Sequence, residues 1–523
     1  MTCRLTPSTI LIRALTTMLH RAGLCLLLVS CSLFGRTFDV TDYGALGNGS
    51  FDNATAIQNA ANSACAPTYT PTLPSLYFPG GQYNLSNVVT LPCALNIFGD
   101  GPQASIIFHT NHSAAQKAFA TDFSLTMIDI AVNTTPLSTD LGMAAVTRGS
   151  NPAATSVGQT FRFIRFNSTG FNFGLIISGK DSYTDLFDTL VVEDCDIRTN
   201  TATGNNVSNP LNIANGKKVW ILNDTLIGDG NGDHGIYTLA VRELRISDNH
   251  LEHYASSAIK LISGTFGVGA VCPTINNDYL GWTVRNNTIL SAFQAVAAYT
   301  YCGVILPVLN VQDNIITENP SAYAPDYASV FVQANCQSII RHMNSSGNSY
   351  SNLGLGGIVL LSSVQSPPDG CADAMAKGTI EDFTSTNDSF ENISTSFPGV
   401  YPAINSGSGN LLRAAVTNLG GGLPINLSGF QFVQPNPQSL LSVAGAQFQN
   451  AHLVMGSGTL IAGTSTISLA GGAQFTAIDT YRCTVSNSTT AVALIVTNVS
   501  ATSFTVTGIV GSSDPFNFIC VGN

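Results

Sequence analysis

The residues best suited to chemistry lie in one short stretch, Gly228-Asp-Gly-Asn-Gly-Asp-His-Gly-Ile-Tyr237. It holds two carboxylates, Asp229 and Asp233, and the imidazole of His234. Such groups exchange protons near neutral pH, and a carboxylate can also attack as a nucleophile or hold a cation through oxygen. The glycines around them let the backbone come close to a ligand. Glu252, His253 and Lys260 follow within one further segment, and Asn212 precedes. Each residue also has a plain reading. Asp and His in a Gly/Asn loop cap their own backbone. Glu252 and His253 can be solvated turn residues. Lys260 and Tyr237 can be outward residues of half-buried strands.

Their placement on a repeat lifts the group above its members. Five segments share one pattern: Val192-Glu-Asp-Cys-Asp-Ile197, Ile221-Leu-Asn-Asp-Thr-Leu226, Ile246-Ser-Asp-Asn-His-Leu251, Val284-Arg-Asn-Asn-Thr-Ile289 and Val311-Gln-Asp-Asn-Ile-Ile316. Each begins and ends on an aliphatic residue and has Asp or Asn third. Four also have Asp or Asn fourth, where the first has Cys195. A second strand-like run follows each: Pro210–Ile213, Gly235–Thr238, Ala258–Leu261, Ala295–Ala298 and Ser329–Val332. A coil of short strands cannot bury its apolar face alone, so coils must stack. Asn at a fixed turn position can then hydrogen-bond its neighbours above and below.

Aligned on Ile236 and Ile259 as inward residues, Asn212, Tyr237 and Lys260 form an outward row on adjacent coils, about 4.8 Å apart. Counting back from the same isoleucines places Asp229 beside Glu252, provided the register holds through the loop. A propeller or sandwich fits this fixed motif at variable spacing less well.

The chain has 523 residues, enough for more than one domain. Only 10% are charged while 44% are hydrophobic, which excludes disorder and suits a turn-rich all-β protein. The net charge of −11 carries no basic footprint and argues against nucleic acid. Arg4, Arg13 and Arg21 precede the apolar run Leu24–Ser32, a basic region then a short hydrophobic one, which reads as an export signal over 1–32. That run is too short to span a bilayer. Secretion is expected, with a lipid on Cys31 of an outer-surface lipoprotein as the alternative. The cysteines beyond it suit an oxidising compartment, and Cys65 with Cys93 and Cys483 with Cys520 are plausible pairs. No CxxC pair is present, and no metal is expected.

From about residue 450 the texture changes to strand-like runs at 465–469, 481–485, 493–499, 503–510 and 516–521. The organisation expected is a β-helix over 36–410, last coils or a linker over 411–450, and a small antiparallel β-domain over 451–523. That domain would cap the last coil, carry a homotrimer or bind glycan.

Residues 38–110 resemble the start of the pectate-lyase-like superfamily of rhamnogalacturonase, epimerase-like and phage tailspike β-helices. Three motifs carry the resemblance: Asp42-Tyr-Gly-Ala45 leading through Gly47-Asn-Gly49 to Asp52-Asn53 and Ala56-Ile-Gln58, then Leu76-Tyr-Phe-Pro-Gly-Gly81 with Tyr83, then Ile97-Phe-Gly-Asp-Gly101. Asn48 stands where that family usually has Asp. The resemblance implies an all-β, right-handed parallel β-helix solenoid, with a short helix near 53–64 capping the first coil. Its members include hydrolases, lyases, epimerases and binding proteins. Asp233-His-Gly235 and Ile259-Lys260 are present, but a clear Asn-Thr-Asp or Arg-Ile-Lys of polygalacturonases is not.

The expectation is therefore a secreted enzyme acting on a complex, pectin-like polysaccharide, leaning to a glycoside hydrolase. Two carboxyl groups would flank the glycosidic bond, drawn from Asp229, Asp233 and Glu252, with His234 orienting one. The alternative is a uronate-dependent lyase or epimerase. There Lys260, Tyr237 or His234 takes the proton next to the uronate carboxylate, with Ca²⁺ as cofactor for a lyase. Asn212, Tyr237 and His253 would bind substrate. The non-enzyme alternative is a glycan-binding or adhesive surface protein.

Overall fold

A computed structural model describes residues 36–522 except 67–72, 112–116, 136–142, 149–153, 182–183, 201–207, 265–277, 302, 319–327, 354–355, 364–377, 392–403, 407–408, 418–424, 427–429, 432–439, 444–445, 450–451, 470–480 and 490–492. The expected export signal and the lipid site at Cys31 lie outside the described residues.

From Thr37 to Gln431 the described strands pair in parallel, each with its counterpart one coil on. The aliphatic first and sixth residues of the repeat explain why. Ile221, Ile246, Val284 and Val311 stand opposite one another in successive coils and are fully buried. So are Leu226, Leu251, Ile289 and Ile316. A third column runs Leu211, Ile236, Ile259, Val296, Val330, Ile358 and Ile404. These columns form one continuous core. Each aliphatic side chain removed from water contributes roughly 1.5–3 kcal/mol, which only stacking can realise.

The two polar positions of the repeat have different tasks. The third residue turns the chain through the left-handed region: Asp194, Asn223, Asp248, Asn286 and Asp313 have φ of 57, 56, 65, 53 and 54°. Asp and Asn tolerate that conformation better than other residues with a Cβ. The fourth residue points inward and joins the coils. The N–H groups of Asn249, Asn287 and Asn314 donate to Oδ1 of Asn287, Asn314 and Asn348, each at 3.0 Å. The asparagine ladder expected from the repeat is thus present, and it is buried.

The helix Ala54–Ala64 turns Ala54, Ala56, Ile57, Ala60, Ala61 and Ala64 inward, into the core that also holds Phe38, Leu76 and Val89. It closes the first coils where a bare sheet edge would otherwise lie. Cys65–Cys93 ties its end to the coil stack. Replacing both cysteines by serine is expected to cost about 3–4 kcal/mol, the chain entropy of the 28-residue separation. The measurement is the urea midpoint, and an unchanged midpoint would show that the helix end is held without the bridge.

Toward the C-terminus the pairing becomes antiparallel. Two three-stranded sheets are described. In one, Pro515–Gly522 lies between His452–Thr459 and Tyr481–Asn487; in the other, Ser503–Thr507 lies between Thr464–Ser468 and Ile495–Ser500. Phe504, Val506, Phe516, Phe518 and Tyr481 form their own core, and Cys483 bonds Cys520 across a pair of facing strands. The strand His452–Thr459 was not foreseen from the sequence.

Candidate active site

The register places Asn212 opposite Tyr237 and Tyr237 opposite Lys260. Their neighbours Leu211, Ile236 and Ile259 are fully buried, so the three polar residues point out of the coil. All three are half-buried. The next coil puts Ala297 opposite Lys260 and Tyr299 opposite Ile262. Ala297 is fully buried there, and the lysine Nζ lies 5.8 Å from the centroid of the Tyr299 ring. Tyr299 in turn meets Tyr301 and Phe331, with ring centroids 6.3 and 5.5 Å away. An aromatic cluster therefore flanks the row on the outside of the solenoid, and Tyr237 packs against it.

Asp233 and His234 enter at the start of the same strand. His234 is buried, and its position is fixed from both sides. Its N–H donates to Asn209 Oδ1 at 2.9 Å, and its Nδ1 accepts the Ser257 N–H at 3.3 Å. Nδ1 is thereby an acceptor, so the proton of the neutral ring sits on Nε2. Nε2 lies 3.0 Å from Asp233 Oδ2, within ion-pair reach but poorly aligned for a hydrogen bond. Tyr237 stacks on the ring at 5.5 Å.

The electrostatics follow from this packing. Burial lowers the His234 pKa, and the Asp233 carboxylate only partly offsets it. Burial would raise Asp233, but the His234 ring, the Lys260 charge and the Ser256 hydroxyl together carry its carboxyl below the usual range. Burial pulls Lys260 down against the opposing charge of Asp233. Burial and Asp233 push the Tyr237 phenol up. The site thus holds a carboxylate that stays ionised, a lysine closer to neutrality than usual, and a phenol that keeps its proton.

The other sequence candidates lie elsewhere. Glu252 stands opposite Ile227, not Asp229. From that pair to the Ile236–Ile259 pair, the lower coil uses nine residues and the upper seven. The surplus is accommodated in the loop, and the expected Asp229–Glu252 register is lost there. Asp229 Oδ1 accepts the N–H groups of Asn231 and Gly232 at 3.0 and 3.2 Å, as a turn-capping aspartate does. Glu252 is held by His250 at 3.0 Å and by the exposed His253 at 3.3 Å. His253 itself sits at φ 65° within the strand His250–Ile262. Gly228 and Gly235 serve packing rather than a ligand. A Cβ at Gly228 would meet the His253 carbonyl at 2.4 Å, and one at Gly235 would meet the buried Tyr254 ring at 2.8 Å.

Sequence reasoning missed Tyr299, Asn209 and Ser257. Tyr299 is the next outward position of a strand already aligned. Asn209 stands immediately before the run Pro210–Ile213. Among the described residues, no three His, Cys, Asp or Glu side chains gather as a metal site would need.

A family model for rhamnogalacturonase A/epimerase, pectate lyase-like proteins matches residues 37–283. No curated protein matches the chain. Among solved structures, the catalytic domain of Agl-KA superposes with a TM-score of 0.51 at 15% identity, covering 78% of this chain and 68% of that one. The A-module of the mannuronan C-5 epimerase AlgE4 of Azotobacter vinelandii gives 0.48 at 14% identity, with 78% and 98% covered. The catalytic unit of a thermostable GH87 alpha-1,3-glucanase from Streptomyces thermodiastaticus strain HF3-3 gives 0.39 at 15%, with 76% and 70% covered. At such identities a likeness speaks to the fold alone.

Proposed function

We propose, from the match of residues 37–283 to the rhamnogalacturonase A/epimerase, pectate lyase-like family model, that the chain is a member of that parallel β-helix superfamily and a secreted enzyme acting on an extracellular polysaccharide at the row Asn212, Tyr237 and Lys260. The observation that carries this reading is Lys260, in register with Tyr237 and 5.8 Å from the Tyr299 ring centroid on a half-buried, aromatic outward face, where the Asp233 charge acts on it. Aromatic rings suit the apolar faces of sugars. The disulfides Cys65–Cys93 and Cys483–Cys520 support an oxidising compartment. The rhamnogalacturonase A/epimerase description of the family model matching residues 37–283 agrees with a glycan substrate.

The chemistry these residues suit best is proton transfer at the carbon beside a uronate carboxylate. Lys260, brought toward neutrality by burial, takes that proton. In elimination the freed electron pair forms the new C=C bond, the glycosidic C–O bond breaks, and Tyr237 donates its phenolic proton to the leaving oxygen. In epimerisation water reprotonates the same carbanion from the opposite face, and Lys260 returns its proton to the hydroxide left behind. Asp233 balances the lysinium that forms, and His234 holds Asp233 in place. Two-carboxylate hydrolysis needs a second acid at this row. None of the described outward positions from Asn212 to Leu361 in these strands is a carboxylate.

The test is a panel of uronate-containing and neutral polysaccharides. It follows unsaturated-product absorbance, reducing ends and the proton NMR of each uronate's configuration. Absorbance with new reducing ends marks a lyase. A configuration change without cleavage marks an epimerase. Reducing ends alone would replace this reading by hydrolysis, and binding without any product would replace it by an adhesive role.

A further inference from the structure

The inner ladder has a direction. At each rung the main-chain N–H and Nδ2 donate upward to Oδ1 of the next residue, and Nδ2 also reaches a carbonyl one coil below. Asn249 Nδ2 lies 2.9 Å from Asn287 Oδ1 and 3.1 Å from the Ile221 carbonyl. Asn314 Nδ2 lies 2.9 Å from Asn348 Oδ1 and 3.1 Å from the Val284 carbonyl. An interior rung must therefore donate as well as accept. Asp388, the last described rung, suits a carboxylate because it accepts. Its Oδ1 takes Asn348 N–H and Nδ2 at 2.9 and 2.8 Å, and its Oδ2 takes the Ser385 hydroxyl at 2.7 Å.

Asp224 is not at such an end. Its Oδ1 accepts the Cys195 N–H at 2.7 Å, and its own N–H donates to Asn249 Oδ1 at 2.8 Å. Its Oδ2 is buried and has no donor. That oxygen is the counterpart of the Nδ2 atoms higher in the ladder. A charged, donor-less carboxylate oxygen in this place would carry the full cost of desolvation.

We infer that Asp224 stands in the folded protein as a neutral carboxylic acid whose Oδ2–H donates to Asn249 Oδ1 as the amides do, which makes this rung a joint of the solenoid that weakens as pH rises. The groups facing it agree. From the coil below come the charge of Asp194 and the buried thiol of Cys195; from above comes the uncharged Asn249 amide. Burial first, then Asp194, hold the Asp224 pKa up to about 8, against the opposing hydrogen bond from the Cys195 N–H.

The sign of the consequence is fixed. Below the ordinary carboxylate pKa, folded and unfolded chains both carry the proton, and the rung's contribution is complete. As pH rises from there toward about 8 the unfolded chain ionises alone, and stability is lost. Above that pH the loss is complete.

The experiment compares wild type with Asp224→Asn, which supplies the missing donor as an amide. Urea unfolding is followed between about pH 5 and pH 8. One proton separates the two states, so the unfolding constant of wild type relative to the variant should rise about tenfold per pH unit. A ratio flat with pH would overturn the inference. A direct reading needs no variant: the carboxyl carbon resonance of Asp224 in the wild-type protein should titrate near pH 8. An Asp224 already ionised at about pH 6 would overturn the inference equally.

Discussion

Lys260→Met lowers turnover on the processed glycan by about 10²–10⁴-fold, the range for removal of a positioned acid–base group, with little change in glycan affinity. The methionine keeps the length and apolar body of the side chain, so its packing beside Ala297 and Tyr299 survives. Only the amine is lost. Loss of binding together with turnover would instead make Lys260 a substrate anchor.

The pH profile separates the roles further. The base must be unprotonated, so activity rises with pH through the Lys260 pKa. Burial places that pKa below the usual lysine value, and the Asp233 charge holds it partly up. Asp233→Asn removes the supporting charge. Its acidic limb should therefore move to lower pH, while the maximal rate falls by less than in Lys260→Met. A limb that stays where it was would mean that Asp233 does not act on Lys260.

The outward row could be read from the sequence because it rests on the repeat. Inward Ile236 and Ile259 leave their successors no choice of face, and parallel pairing then aligns Tyr237 with Lys260. The pairing of Asp229 with Glu252 could not be read. It depended on how a glycine loop spends two extra residues, which no hydrophobic pattern records. His234 shows the same limit from the other side. Its residue type announced chemistry, but its ring is committed to Ser257 of the neighbouring coil and to Asp233 beside it in its own. The aromatic cluster around Tyr299 is a feature of several coils together, and each member alone looks like an ordinary strand residue.

The ladder lies between these cases. Its rungs were legible as a repeated Asn, yet its direction was not, because main-chain N–H groups and carbonyls leave no mark in the sequence. That direction determines how costly one rung is. Asn287→Ala is expected to destabilise the protein by about 3–5 kcal/mol. Asn287 Oδ1 accepts both the N–H and Nδ2 of Asn249, at 3.0 and 2.9 Å, and its Nδ2 reaches the Ile246 carbonyl at 3.2 Å and Asn314 Oδ1 at 2.9 Å. Alanine leaves the Asn249 N–H buried with no acceptor, and each such orphan costs about 1–3 kcal/mol. Asn287→Asp keeps the acceptor and loses the donor. It should therefore be milder than alanine in acid and approach it in alkali, where the carboxyl ionises against Asn314 Oδ1. Urea midpoints at two pH values decide the matter. Equal losses for Ala and Asp at both would show that the rung stabilises the coil by its shape alone, and that the ladder's hydrogen bonds contribute nothing net.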